Sequence, residues 1–192
     1  MKLTDLSHNA PFILPPGFSV FRVQRKVPMR GTVKTGPFLT PPVHVLANRF
    51  DIAGVPVGYV ATDPLTSLYE TMARRDVTIV SQGNLRDRWL LELQSGSQLN
   101  LLDLRPHAHH WPVLYANRYP STQALAVDAK ASGFDGVLYQ SAQQYGSECL
   151  AVFDAAMPGF KVVSTQELQL TTGALNTLVV AALRGAELPI GP

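Results

Sequence analysis

The chain carries one cysteine, Cys149, among 192 residues, so no disulfide forms within it. That cysteine opens the apolar run CLAVF, the setting of a core thiol and not of a nucleophile. No apolar run approaches the roughly 18 residues of a spanning helix. The N-terminus also lacks a basic stretch followed by an apolar one, so a cytoplasmic protein without membrane contact is the expectation. Charge of one sign is scarce too: 16 Lys and Arg stand against 14 Asp and Glu, a formal net charge of +2. That argues against a broad nucleic-acid footprint and leaves room for a local basic pocket. No glycine fingerprint lies between a strand and a helix, which disfavours a dinucleotide-binding Rossmann site. No Gly-x-Ser-x-Gly elbow is present, which disfavours an α/β-hydrolase. His107, His109 and His110 sit between Pro106 and Pro112 without cysteine or carboxylate spacing to match, so they read as a polar loop and no metal site is expected.

A chain of this length forms one core without help from disulfides or metals. Residues 1–17 hold Pro11, Pro15, Pro16 and Gly17 and read as an extended arm. Residues 18–192 read as a single domain. Its strand candidates are 19–25, 43–50, 57–61, 89–93, 99–104, 137–139, 149–153 and 160–163, from alternation or short apolar runs. Residues 28–42 contain four prolines and two glycines and read as one long loop. Asp63 caps a helix that Pro64 opens, with Leu65, Leu68, Tyr69 and Met72 on one face. A second helix starts at Pro120 and ends near Gly133, and a third covers 175–183. Strands outnumber helices and do not alternate with them, which gives an α+β fold. Trp89 and Trp111 read as packing residues.

The chemistry concentrates in two segments. Residues 48–70, NRFDIAGVPVGYVATDPLTSLYE, place Arg49, Tyr59 and Glu70 in one strand–strand–helix unit. A guanidinium holds a diphosphate through two parallel hydrogen bonds, an aromatic ring stacks on a base, and a carboxylate stabilises an oxocarbenium-like transition state. The second segment, GFDGVLYQSAQQYGSECLAVFD, places Ser141 just past a strand. Each residue also has a plain reading: Glu70 as a helix-surface partner of Arg74, Arg22 and Arg49 as solvated strand residues, Tyr59 as a half-buried strand tyrosine, and Ser141 as turn chemistry.

Taken in order, these segments resemble the RES domain family, named for its Arg, Glu and Ser. The resemblance runs from about Phe18 to about Val163. It rests on Phe21-Arg22-Val23, on Ala47-Asn48-Arg49-Phe50, on Tyr59-x-Ala61 followed by Glu70, and on Tyr139-Gln140-Ser141. The family often has an arginine after that serine, where this chain has Ala142. The resemblance implies an ADP-ribosyltransferase-like fold of two small, mostly antiparallel sheets with flanking helices. It implies NAD as substrate, no separate cofactor, and loss of nicotinamide to water or phosphate. Arg22 and Arg49 would hold the pyrophosphate, Tyr59 would stack on nicotinamide, and Glu70 would orient the ribose. Ser141 would complete the ribose or phosphate contacts. It further implies a toxin neutralised by a cognate antitoxin. A mono-ADP-ribosyltransferase acting on a protein, an antibacterial effector with an immunity partner, and a non-catalytic nucleotide sensor remain open, as does a homodimer.

Overall fold

The computed structural model describes residues 11–74, 76–115 and 118–192. Twelve strands and four helices appear there, in the order β1 (Phe12–Leu14), β2 (Ser19–Arg25), β3 (Val33–Thr35), β4 (Phe38–Thr40), β5 (Val57–Ala61), α1 (Pro64–Thr71), β6 (Val80–Ser81), α2 (Gln82–Arg86), β7 (Arg88–Ser95), β8 (Leu99–Asp103), α3 (Pro120–Ala131), β9 (Gly136–Gln140), β10 (Glu148–Phe153), β11 (Phe160–Glu167), α4 (Thr177–Gly185) and β12 (Ile190–Gly191). The fold is α+β, as the excess of strands over helices implies. Eight strands join in the order β1-β8-β9-β10-β5-β2-β7-β11, beside the two-stranded ribbons β3–β4 and β6–β12. Neighbours in the large sheet are antiparallel except β8 and β9, which α3 connects in parallel.

The expected pair of small sheets is present as two halves of that one sheet. β2 and β5 share a single register pair, Phe21↔Ala61, whereas β2 pairs with β7 along its whole length and β5 pairs with all of its partner stretch on β10. Past Phe21 the two strands part, and side chains take over the backbone groups that the ladder leaves. The Val23 N–H donates to Ser67 Oγ of α1 at 2.9 Å.

The apolar side chains explain this arrangement. Strands β9 and β10 are buried on both faces, so they read as continuous apolar runs. Val137, Tyr139, Ala151 and Phe153 pack with Leu125, Ala126 and Ala129 of α3 on one side. Leu138, Leu150 and Val152 pack with Leu93, Leu101 and Met157 on the other. A third cluster joins Val23 and Leu90 of the smaller half to Leu68 of α1, to Met72 at its C-terminal cap, and to Val179, Ala182 and Leu183 of α4. Helix α1 is thereby fixed on the sheet at the seam. Its start is the expected one, since Asp63 accepts from the Thr66 N–H at 2.8 Å and Pro64 opens the first turn.

Three expectations change. Residues 43–50 form no strand. Val45 N–H turns back to Pro42 O at 2.9 Å, Asn48 N–H donates to Asp51 Oδ2 at 2.7 Å, and Gln123 of α3 donates to Leu46 O and Asn48 O. With its polar groups met by side chains and turns, the segment needs no ladder partner. Residues 28–42 are not all loop: β3 and β4 pair as a hairpin around Gly36 at φ 57°, a conformation suited to glycine. Residues 1–10 of the expected arm lie outside the described residues, but Phe12–Leu14 is an edge strand paired with Leu99–Leu101.

Candidate active site

A cavity of about 280 Å³ opens at the seam, near the lower end of ligand-binding pockets. Its lining includes Arg22, Arg49, Tyr59, Glu70, Tyr139 and Cys149, so four of the five residues singled out in the sequence meet in one cleft. The fifth, Ser141, is 4% exposed and stands behind Glu70.

Glu70 lies at the last turn of α1. The Ser141 hydroxyl donates to its Oε1 at 2.5 Å, and the same hydroxyl accepts from the Gln143 and Gln144 N–H groups at 3.1 and 3.0 Å. The serine therefore folds the loop after β9 and aims the carboxylate at once. Its proton, which the resemblance assigns to ribose or phosphate, goes to Glu70. Thr66, one turn before Glu70, bonds both Asp63 and Gln144, the latter at 2.7 Å, and so ties the loop to the helix start. The surface pairing of Glu70 with Arg74 is not what forms: Arg74 bonds Asp76 at 3.1 Å.

The two inner arginines are held differently. Arg22 occupies the seam. Its Nη1 donates to Tyr59 O at 2.6 Å, its Nη2 to Leu39 O at 2.8 Å, and its Nε to Gln24 Oε1 at 3.1 Å. These acceptors are neutral, and burial lowers the guanidinium pKa to about 10, a cost that an anionic ligand would offset. Arg49 comes from the turn before β5. The Thr122 hydroxyl fixes its carbonyl at 2.6 Å, and the guanidinium lies 5.9 Å from the Tyr119 ring centroid. Its Nη1 is buried without a hydrogen-bond partner. A buried guanidinium donor without a partner is uncommon, and a bound anion beside it would supply the acceptor.

Tyr59 sits between them. Its hydroxyl accepts from Phe50 N–H and donates to Asp51 Oδ1, both at 2.9 Å, which anchors the Arg49 turn. Burial raises its pKa, as it raises those of Tyr139 and the Cys149 thiol. Cys149 therefore keeps its proton and is a wall residue.

Sequence reasoning did not single out Gln24, Asp51, Tyr119 or Tyr139. Gln24 carried a signal: it lies two residues from Arg22 on one strand face, and it accepts from both Arg22 and the Leu39 N–H, the latter at 2.8 Å. Among the described residues no group of three His, Cys, Asp or Glu side chains is placed to hold a metal. His107 instead packs on Trp111, 5.0 Å between ring centroids.

A mainly antiparallel sheet split at a basic cleft, with one carboxylate on the helix that follows the seam strand, defines the class. The sequence model of the RES domain matches residues 19–173, and the chain belongs to the RES domain family. Among solved structures it is similar to a chain in the crystal structure of the M. tuberculosis MbcT–MbcA toxin–antitoxin complex. The TM-score is 0.62 and the identity 17%, with 81% of this chain and 86% of that chain covered. That likeness is one of fold. No curated protein matches the chain.

Proposed function

We propose that the chain cleaves the bond between nicotinamide and ribose in NAD and acts as a toxin restrained by a cognate partner. One observation carries the reading: Arg49, whose Nη1 has no protein partner, and Glu70, whose carboxylate Ser141 holds, line the same cleft. The arginine supplies what a diphosphate needs, and the carboxylate supplies what a developing oxocarbenium ion needs. In this reading Arg49 takes the pyrophosphate, and Arg22 adds its charge from the seam. The Tyr59 ring stacks on nicotinamide while its hydroxyl stays on Asp51. Glu70 accepts from the ribose hydroxyls and offsets the positive charge that grows as nicotinamide leaves. Ser141 acts through Glu70, as a positioning residue. The departing base takes the bonding electron pair, and water or phosphate adds to the ribose carbon.

The toxin part draws on the family and on the similar fold found in a toxin–antitoxin complex. Expression of the chain alone, with cellular NAD measured over time, tests it. Falling NAD and arrested growth, both reversed by co-expression of the adjacent gene, are the expected results. Normal growth with unchanged NAD, at good yield of folded protein, contradicts it.

A further inference from the structure

The cleft has three arginines and one carboxylate among its described lining residues: Arg22, Arg49 and Arg74 against Glu70. The excess of two positive charges equals the charge of a diphosphate. Two of the arginines already have parts in the proposed function, and Arg74 has none. It lies just past the end of α1, four residues beyond Glu70.

Its present partner is weak. Arg74 Nε and Nη2 reach Asp76 at 3.1 and 3.4 Å. The two side chains are 40% and 68% exposed, and a pair in that setting is worth about 0–1 kcal/mol. The fork that grips a carboxylate in this way is also the one that grips a phosphate, and it cannot do both with the same two donors. Asp76 is absent from the cleft lining while Arg74 is part of it. Arg74 therefore pairs with an anion outside the cleft while its own side chain is part of the cleft wall.

We propose that Arg74 is a third phosphate-binding side chain, which exchanges Asp76 for the outer phosphate of a dinucleotide. This deepens the NAD reading and rests on it. Arg49 holds the pyrophosphate with the charge of Arg22 behind it, and Arg74 adds a contact to the outer of its two phosphates. The cleft then prefers a dinucleotide over a mononucleotide, and Asp76 sets the affinity by competition.

The two partners must shift binding in opposite directions, which a structural role would not produce. Arg74→Gln and Asp76→Asn alter exposed side chains and should leave folding stability within about 0.5 kcal/mol. Titration with ADP-ribose and with nicotinamide mononucleotide, alongside NAD turnover, reads the effect. Arg74→Gln should weaken ADP-ribose binding roughly tenfold and raise KM for NAD with kcat nearly unchanged, since a lost charge-assisted contact has about that size. Asp76→Asn should tighten ADP-ribose binding severalfold. Mononucleotide binding should move little in either variant. Equal shifts for both ligands, or none in a wild-type enzyme that cleaves NAD, overturn the role of Arg74 and leave the NAD reading standing. A wild-type protein that neither binds ADP-ribose nor cleaves NAD overturns both.

Discussion

The Ser141 hydroxyl donates to Glu70 Oε1 at 2.5 Å across 71 residues of sequence, joining the loop after β9 to the helix after β5. Because that hydroxyl also accepts from two backbone N–H groups, Ser141→Ala removes three hydrogen bonds at once. A stability loss of about 1–3 kcal/mol is expected. NAD turnover should fall roughly tenfold, with KM less affected, because Glu70 loses its aim but keeps its charge. Thermal unfolding and steady-state kinetics on one preparation check both. Full activity in Ser141→Ala would detach the serine from the carboxylate's work.

Arg22 and Arg49 should separate in a paired test. Arg22→Lys removes a planar fork that spans Tyr59 O, Leu39 O and Gln24 Oε1. An ammonium group cannot hold that geometry, so stability should drop by about 1–3 kcal/mol together with NAD binding. Arg49→Lys removes a guanidinium whose Nη1 has no protein partner, so binding should weaken with little change in stability. ADP-ribose titration and chemical unfolding of both variants distinguish the two. Equal stability losses would show that Arg49 holds the turn rather than a ligand.

How much of this was legible in the sequence follows from how local each cause is. Helix α1 was legible because its cap and first proline are neighbours in sequence, and β2 and β5 because alternation and apolar runs announce them. The strand expected at 43–50 failed because Val43, Val45, Leu46 and Phe50 imitate one, while the deciding partners, Asp51 and Gln123, act through side chains. The seam was invisible. Its existence depends on where β2 parts from β5 after one register pair, and no residue of either strand records that. The same holds for Glu70: its helix position was readable, but its bond to Ser141 depends on the loop after β9 folding back to α1.

The buried hydroxyl and thiol groups make a prediction at high pH. Burial raises the pKa of Tyr59 and Tyr139 above the ordinary 10.0 and that of Cys149 above the ordinary 9.0. The folded protein keeps these protons while the unfolded chain releases them. Their stabilisation is therefore complete below about pH 9 and is lost as pH rises from there toward the raised folded values, by about 1.4 kcal/mol per pH unit per proton. Arg22 works the other way above about pH 10, since there the folded state releases its proton first. Between about pH 9 and about pH 10 the opposing effect of Arg22 has not set in, so stability should begin to fall there. Tyr139→Phe keeps the ring that packs 4.8 Å from Phe50 and removes one titrating group, so its alkaline limb should be shallower. Identical limbs for both proteins, measured by urea unfolding from about pH 8 to about pH 11, would refute this account of Tyr139.

The most direct measurement is the fate of NAD with purified protein, followed by separation of nicotinamide from the ribosyl product, for wild type and for Glu70→Gln. The substitution keeps the shape of the side chain, removes its charge, and still accepts from Ser141. The account predicts nicotinamide release by the wild type, with and without added phosphate, and turnover lower by roughly a hundredfold or more in Glu70→Gln, the usual size of a lost transition-state charge contact. Intact NAD with folded wild-type protein, or equal turnover in the two proteins, would contradict it.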